Sequence, residues 1–310
     1  MLDIVLKIST IFIMIFIGFF ACRLKVLKSE SQEHLVSLIL NITLPCMLVN
    51  SICGNTLSED SFKMTVETFI LSAIYFILAI FAAEALVKLF RVREENDIGV
   101  YKIIFTSINA GFMGLPVTMA VFGNEAVYYM ALHNIVLNVV LYSFCIVQLN
   151  SGAGRAVIGK ALKKLASPCI IGAVLGVVLL FAGIKIPDYL AGIIQPVGDV
   201  TIPVAMMIVG IQLADGRILD CFRNKKLVLF SIVTMLIWPL FILLIVKFSP
   251  LPDILKTVFV LGAALPPATT ISAIAANENR NYKLAADGII VTTLMAMITI
   301  PLISMLIKMG

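Results

Sequence analysis

Apolar residues fill this chain in long runs, and charged residues sit in the short stretches between them. A helix needs about 20 predominantly apolar residues to cross a bilayer, so each run predicts a membrane span. Ten spans are expected, at roughly 2–22, 34–51, 62–89, 101–122, 124–147, 161–182, 189–212, 226–247, 254–276 and 284–307. The fourth and ninth are the least regular, because Gly, Pro, Asn and Thr lower their hydropathy, and removing both would leave eight. The first run resembles a signal peptide in position. It continues unbroken to Cys22 and is followed by Arg23, Lys25 and Lys28, so it reads as a retained span.

Within the fourth span lies Ile108-Asn109-Ala110-Gly111-Phe112-Met113-Gly114-Leu115-Pro116-Val117-Thr118. The ninth contains Leu261-Gly262-Ala263-Ala264-Leu265-Pro266-Pro267-Ala268-Thr269-Thr270. Neither holds an acidic or basic side chain. Proline removes a backbone donor and clashes with the preceding turn, so both helices are expected to break or kink near mid-membrane. Backbone groups freed at that depth are tolerable only when buried in protein or lining a cavity. Paired interrupted spans in corresponding halves of a chain point to the binding site of a secondary transporter.

The two halves echo each other. Asn41-Ile42-Thr43-Leu44-Pro45 in the second span matches Asp199-Val200-Thr201-Ile202-Pro203 in the seventh, and Leu115-Pro116 matches Leu265-Pro266. A Gly/Ser-rich stretch, Asn150-Ser151-Gly152-Ala153-Gly154, separates them. Five spans on each side is an odd number, so homologous halves would insert in opposite orientations. The expected fold is an all-α polytopic membrane protein of ten helices in two inverted repeats of five, residues 1–150 and 151–310, with broken crossing helices four and nine.

Composition agrees with membrane insertion: 61% of the 310 residues are hydrophobic and 13% charged, where about 25% is usual in soluble domains. A net charge of +5 would by itself suit a nucleic-acid partner, but its placement argues against one. Seventeen of the 23 Lys and Arg residues fall in odd-numbered loops or at the span ends that flank them. By the positive-inside rule those loops are cytoplasmic and both termini extracytoplasmic. The six cysteines lie mostly within apolar runs without CxxC spacing, and read as small buried residues.

Sequence motifs of hydrolases and P-loop enzymes are absent, and two histidines offer little for catalysis, so no enzyme, cofactor or metal site is expected. A transport site has its parts. Broken helices place partial positive ends where an anion can sit. Asn109 can donate its amide to a carboxylate, or instead hold the helix crossing together. Gly111 and Gly114 let backbone approach a ligand. Thr118, Thr269 and Thr270 are weaker candidates, since membrane threonines commonly bond back to their own helix. Pro116, Pro266 and Pro267 are assigned mainly to shape. Ionisable groups within spans are candidates for coupling or gating: His133, Asp199 and Asp287, with Glu84 near a span end. His133 and Asp287 occupy equivalent places in the two halves, which suits proton coupling; structural hydrogen bonds are the alternative. Asn134 and Asn138 give the fifth span a polar stripe.

These residues resemble a known family. Asn109-x-Gly111-Phe112-x-Gly114-x-Pro116, Phe122-Gly123 and Pro266-Pro267-x-Thr269 are similar to the auxin efflux carrier family, which includes plant auxin carriers and bacterial malate or malonate permeases. The resemblance covers the full length. It implies ten spans in inverted repeats, with spans four and nine crossing at their prolines beside the substrate. It further implies that spans one, two, six and seven form a scaffold, often dimeric, and that the remainder moves. Asn109 matches the position that contacts the substrate carboxylate in the plant carriers. The ninth span has Gly262 and Ala263 near Pro266 and no second Asn, and the long central loop of the plant proteins is absent.

The expected function is therefore secondary transport of a small organic anion, a mono- or dicarboxylate such as malate or malonate, by alternating access in the plasma (inner) membrane. H⁺ and Na⁺ are the candidate coupling ions, and a homodimer through the scaffold helices is the candidate assembly. The alternatives are a sodium-coupled carrier of the bile-acid type and a membrane receptor that binds a small acid without moving it.

Overall fold

The computed structural model describes residues 2–28, 30–55, 61–140, 149, 167–215 and 218–309. Among these residues five helical stretches are long and apolar enough to cross a membrane: Ser31–Cys53, Ser61–Leu89, Asp188–Ala214, Lys225–Lys247 and Tyr282–Lys308. Further apolar helices run over Leu2–Arg23, Asn124–Val140 and Pro168–Phe181, and residues 95–122 and 253–277 form helices broken in the middle. The protein is an all-α polytopic membrane protein. The third span is one unbroken helix of 29 residues, Ser61–Leu89, and the fourth begins at Glu95, earlier than hydropathy places it. The Gly/Ser-rich stretch, residues 141–147 of the fifth expected span and 161–166 of the sixth lie outside the described residues.

Exposed positions are apolar where lipid should lie. On the Ser61–Leu89 helix Ile70, Ile74, Ile77 and Phe81 all face outward, with Phe81 70% exposed. Their spacing of three and four residues makes one stripe along the helix. Such a patch would aggregate in water, and in a bilayer it meets hydrocarbon.

Proline acts here through a wider turn. Three five-residue π-helical turns, Ile39–Thr43, Ala110–Gly114 and Val233–Ile237, each end immediately before an X-Pro pair: Leu44-Pro45, Leu115-Pro116 and Trp238-Pro239. Each proline then occupies the first turn of the next α-helix. The helical backbone runs on through each pair, and the looser preceding turn makes room for the proline ring that an ordinary α-turn would meet.

The chain divides into two compact units, and each draws on both halves of the sequence. The first comprises Met1–Thr68, Gly111–His133 and Ala166–Asp215; the second comprises Phe69–Ala110, Asn134–Leu165 and Gly216–Gly310. All the elements that the family resemblance groups as a scaffold fall in the first.

Small residues set the close packing of the first unit. Leu2–Arg23 packs against Thr201–Asp215. At their contact a Cβ on Gly18 would collide with the Met207 carbonyl, and one on Gly210 with the Ile15 carbonyl. Leu44–Cys53 packs against Pro168–Phe181, where Gly172 faces Pro45 and Gly176 faces Ile52. The Gly-x-x-x-Gly spacing thus marks a true close approach.

In the second unit the packing is aromatic. Trp238 lies edge-on to Phe105, with centroids 5.0 Å apart, and its Nε1–H donates to the Tyr75 hydroxyl at 3.1 Å. Phe230 meets Tyr101 at 4.9 Å and Phe90 at 5.4 Å. These rings fix the Glu95–Thr106 helix against Ser61–Leu89 and the eighth span just before the first break.

Candidate functional site

The Glu95–Thr106 helix ends at Ser107, whose backbone is extended (φ −99°, ψ 92°). Ile108 then forms an isolated antiparallel bridge with Pro267 of the ninth span. Asn109 N–H donates to the Pro266 carbonyl at 2.7 Å, and Ala268 N–H donates to the Ser107 carbonyl at 2.7 Å. The two interruptions are therefore hydrogen-bonded to each other within one compact unit.

This geometry explains how two prolines lie in a paired segment. In an antiparallel ladder opposite residues alternate between those that exchange both bonds and those whose neighbours do. Ile108 and Pro267 are of the second kind, so the bridge asks no N–H of Pro267. The bonds come from Asn109 and Ala268, and Pro266 contributes only its carbonyl. Shape is the role expected of these prolines.

The position of the fourth-span break differs from expectation. It falls at Ser107–Asn109, and Pro116 sits beyond it in the first turn of Leu115–Phe122. Ser107 is the residue that sequence reasoning missed. It is fully buried, its carbonyl accepts from Ala268, and its hydroxyl bonds back to the Ile103 carbonyl. A Thr106-Ser107 pair two residues before Asn109 was the available signal, since hydroxyls compete for helix carbonyls.

Of the proposed ligand residues, Asn109, Pro266, Pro267, Thr269 and Thr270 lie in the second unit, around the bridge. Asn109 is 4% exposed. The Thr270 hydroxyl is buried with no protein partner among the described residues. A buried hydroxyl left unpaired costs about 1–3 kcal/mol, which a ligand or water would recover. The Thr269 carbonyl accepts from Ser272 Oγ at 3.3 Å. Gly111, Gly114, Pro116 and Thr118 belong to the first unit by packing. Thr118 Oγ1 donates to the Gly114 carbonyl at 2.6 Å, the back-bonding usual for a membrane threonine. Nothing would lie within 4 Å of a Cβ on Gly111, so that backbone borders open space.

The ionisable candidates divide between the two units. His133 is fully buried in the first unit. Asp287 lies near the start of Tyr282–Met309 in the second, where Cys221 Sγ donates to its Oδ1 at 3.2 Å. Burial, and then the Asp287 carboxylate, push the Cys221 thiol up to about 12. Asp199 ends the Asp188–Asp199 helix and is exposed. Glu84 is paired with Lys102 at 2.6 Å and Lys88 at 3.4 Å, joining the third span to the fourth. Asn138 Nδ2 donates to the Asn134 carbonyl at 2.7 Å, so part of the polar stripe is satisfied within its own helix. Among the described residues no three His, Cys, Asp or Glu side chains are grouped to hold a metal.

Whole-chain comparisons agree with this architecture. Residues 3–304 match the family model described as "Membrane transport protein". An uncharacterized transporter, MJ1031, from Methanocaldococcus jannaschii is 22% identical over 302 residues, covering 94% of this chain and 95% of the relative. A second from Methanothermobacter thermautotrophicus is 21% identical over 306 residues, 97% of each chain. The uncharacterized transporter YfdV of Escherichia coli K12 is 24% identical over 302 residues, 94% of each. With a family match over nearly its whole length, the chain belongs to the membrane transport protein family, that of the auxin efflux carriers, and is a membrane transporter, not an enzyme.

Proposed function

We propose that this protein is a secondary transporter of a small organic anion, a mono- or dicarboxylate of the malate or malonate kind, working by alternating access. The observation that carries the reading is the hydrogen-bonded pair of interruptions at Ile108 and Pro267, with Asn109 buried beside it and the Thr270 hydroxyl without a partner among the described residues. Two helices interrupted together inside a membrane place amide and hydroxyl donors, without a fixed charge, where a carboxylate can bind and leave. Gly111, Gly114, Pro116 and Thr118, in the second half of the same span, are further candidate substrate contacts that belong to the first unit.

The ten spans are read as two inverted repeats, residues 1–150 and 151–310. Interruptions at corresponding places support this. The π-turn ending at Thr43 has its counterpart in the break at Val200, and the break at Ser107–Asn109 in that at residues 264–270. A homodimer through spans one, two, six and seven would cover Asp199, which is otherwise a carboxylate exposed within an apolar span.

Proteoliposomes loaded with or without unlabelled acid, and challenged with a panel of labelled acids under separate Na⁺ and pH gradients, test the reading. Net flux and counterflow of a mono- or dicarboxylate are expected; binding without flux would make the protein a receptor. His133→Gln or Asp287→Asn should abolish pH-driven accumulation while sparing exchange. Unchanged accumulation in both would assign these residues to structure.

Topology has its own test in a cysteine-free background. A single cysteine at Gly310 should react with an impermeant maleimide on intact cells, and one at Ser151 should be protected. Both positions lie outside the described residues, and the reverse labelling would overturn the inverted arrangement.

A further inference from the structure

The first unit contains a cavity of about 230 Å³ at the start of the Ser61–Leu89 helix, lined in part by Asn55, Ser61, Met64, Glu125, Tyr128 and Tyr129. Three of its polar side chains are deeply set, Tyr128 at 3% exposed, Tyr129 at 4% and Ser61 at 9%, while Asn55 is half-buried and Glu125 stands exposed at the mouth. Water occupies about 30 Å³ per molecule, so the space holds several waters or a small solute with part of its hydration shell.

Counting protons shows what this cavity can recognise. Thr65 Oγ1 donates to the Ser61 carbonyl at 2.7 Å, so in its 2.8 Å contact with Tyr128 the phenol must be the donor. Tyr129 directs its proton at Met64 Sδ, 3.7 Å away. Asn55 Nδ2 donates to the Ser51 carbonyl at 2.8 Å and reaches Ile52 O at 3.4 Å. The donors of these four side chains are thus directed into the protein. Beside the Ser61 hydroxyl, which can both donate and accept, what remains for the cavity is a set of acceptors: two phenolic oxygens, the Asn55 carbonyl oxygen and the Glu125 carboxylate. No Lys, Arg or His lines it among the described residues.

We propose that this cavity is a binding site for a small monovalent cation, distinct from the anion site at the helix breaks. A carboxylate with neutral oxygen donors suits a hard cation, and the adjacent tyrosine rings, 4.9 Å apart, add π faces that favour an ammonium group. An anion would meet acceptors and a like charge there. The shared requirement is a compact positive charge, from an alkali ion or from a small primary ammonium. The inference does not rest on the transport reading, because it concerns equilibrium binding alone.

The test titrates the purified full chain with NaCl, KCl or methylammonium chloride, balanced by N-methylglucamine chloride at constant ionic strength. Melting temperature and heat of binding are recorded together. At least one cation should give a saturable response in the unaltered protein. Glu125→Gln, which replaces an exposed side chain, should weaken it by roughly 10-fold or more, through loss of the charged contact. Asp253→Asn, removing a carboxylate that is 98% exposed elsewhere, should leave it unchanged. A response to Na⁺ or K⁺ alone identifies an alkali-ion site, and one to methylammonium alone an ammonium site. No saturable response by either measurement, or the same affinity in Glu125→Gln, would overturn the proposal.

Discussion

Replacing Asn109 with alanine should weaken binding of the transported anion by roughly 10- to 150-fold, the equivalent of one charge-assisted hydrogen bond of about 1.5–3 kcal/mol. The geometry makes this a clean test. The backbone bonds between the fourth span and the ninth run from Asn109 N–H to the Pro266 carbonyl and from Ala268 N–H to the Ser107 carbonyl, and alanine at 109 retains both. The bridge between Ile108 and Pro267 should therefore survive, and the variant should stay folded. Asn109→Asp should bind more weakly than Asn109→Ala, because it adds a like charge beside the anion. If the side chain instead holds the crossing together, both variants should lose folded yield and melting temperature before affinity changes. Binding to purified monodisperse protein, with thermal stability on the same samples, separates the two. Near-wild-type affinity in a stable Asn109→Ala protein would leave the backbone and the Thr270 hydroxyl as the anion's contacts.

Gly210→Ala should be strongly destabilising although alanine favours a helix by about 1 kcal/mol over glycine. The new Cβ would overlap the Ile15 carbonyl oxygen and stand 2.6 Å from the Phe19 nitrogen. These are backbone atoms, so no rotamer change relieves the clash. The Leu2–Arg23 and Thr201–Asp215 helices must part along their length, at a cost at or beyond the upper end of the 1–3 kcal/mol usual for overpacking. Gly18→Ala should do the same from the other side, since its Cβ would lie against Met207 backbone atoms. Once one substitution has separated the helices the other finds room, so the double variant should lose less than the sum of the two. Gly192→Ala is the control: nothing lies within 4 Å of its added Cβ, and stability should hold or rise by up to about 1 kcal/mol. Melting of the purified proteins decides the matter; equal melting temperatures for Gly210→Ala and Gly192→Ala would contradict the close approach.

Much of the fold follows from the chain's own composition. Apolar length makes the spans, because a backbone in hydrocarbon must satisfy its hydrogen bonds within the helix. The eighth span, expected at 226–247, is observed at Lys225–Lys247, and the stretch expected at 254–276 is helical over Asp253–Ala263 and Ile271–Asn277. That the fourth and ninth are interrupted was also legible, since Gly and Pro weaken a helix wherever they stand. So was Asn109, the one side chain with amide donors in a long stretch without charge.

Where the breaks fall was decided by tertiary structure. Pro116 suggested a kink at its own position, yet the π-helical turn before it makes room for its ring, and the chain opens instead at Ser107–Asn109, where the ninth span offers a carbonyl and an N–H. The partner of Asp287 was equally hidden. Matching the halves gave Asp287 an equivalent in His133 but no bonding partner, and the structure seats the Cys221 thiol on the carboxylate, a contact between residues 66 apart that no periodicity encodes. Sequence by itself determined that this is a multi-span membrane protein with two weak points, because hydropathy and proline chemistry are local. Which backbone groups those weak points share, and which glycines bring helices into contact, depended on packing between distant segments, and only the folded chain settles that.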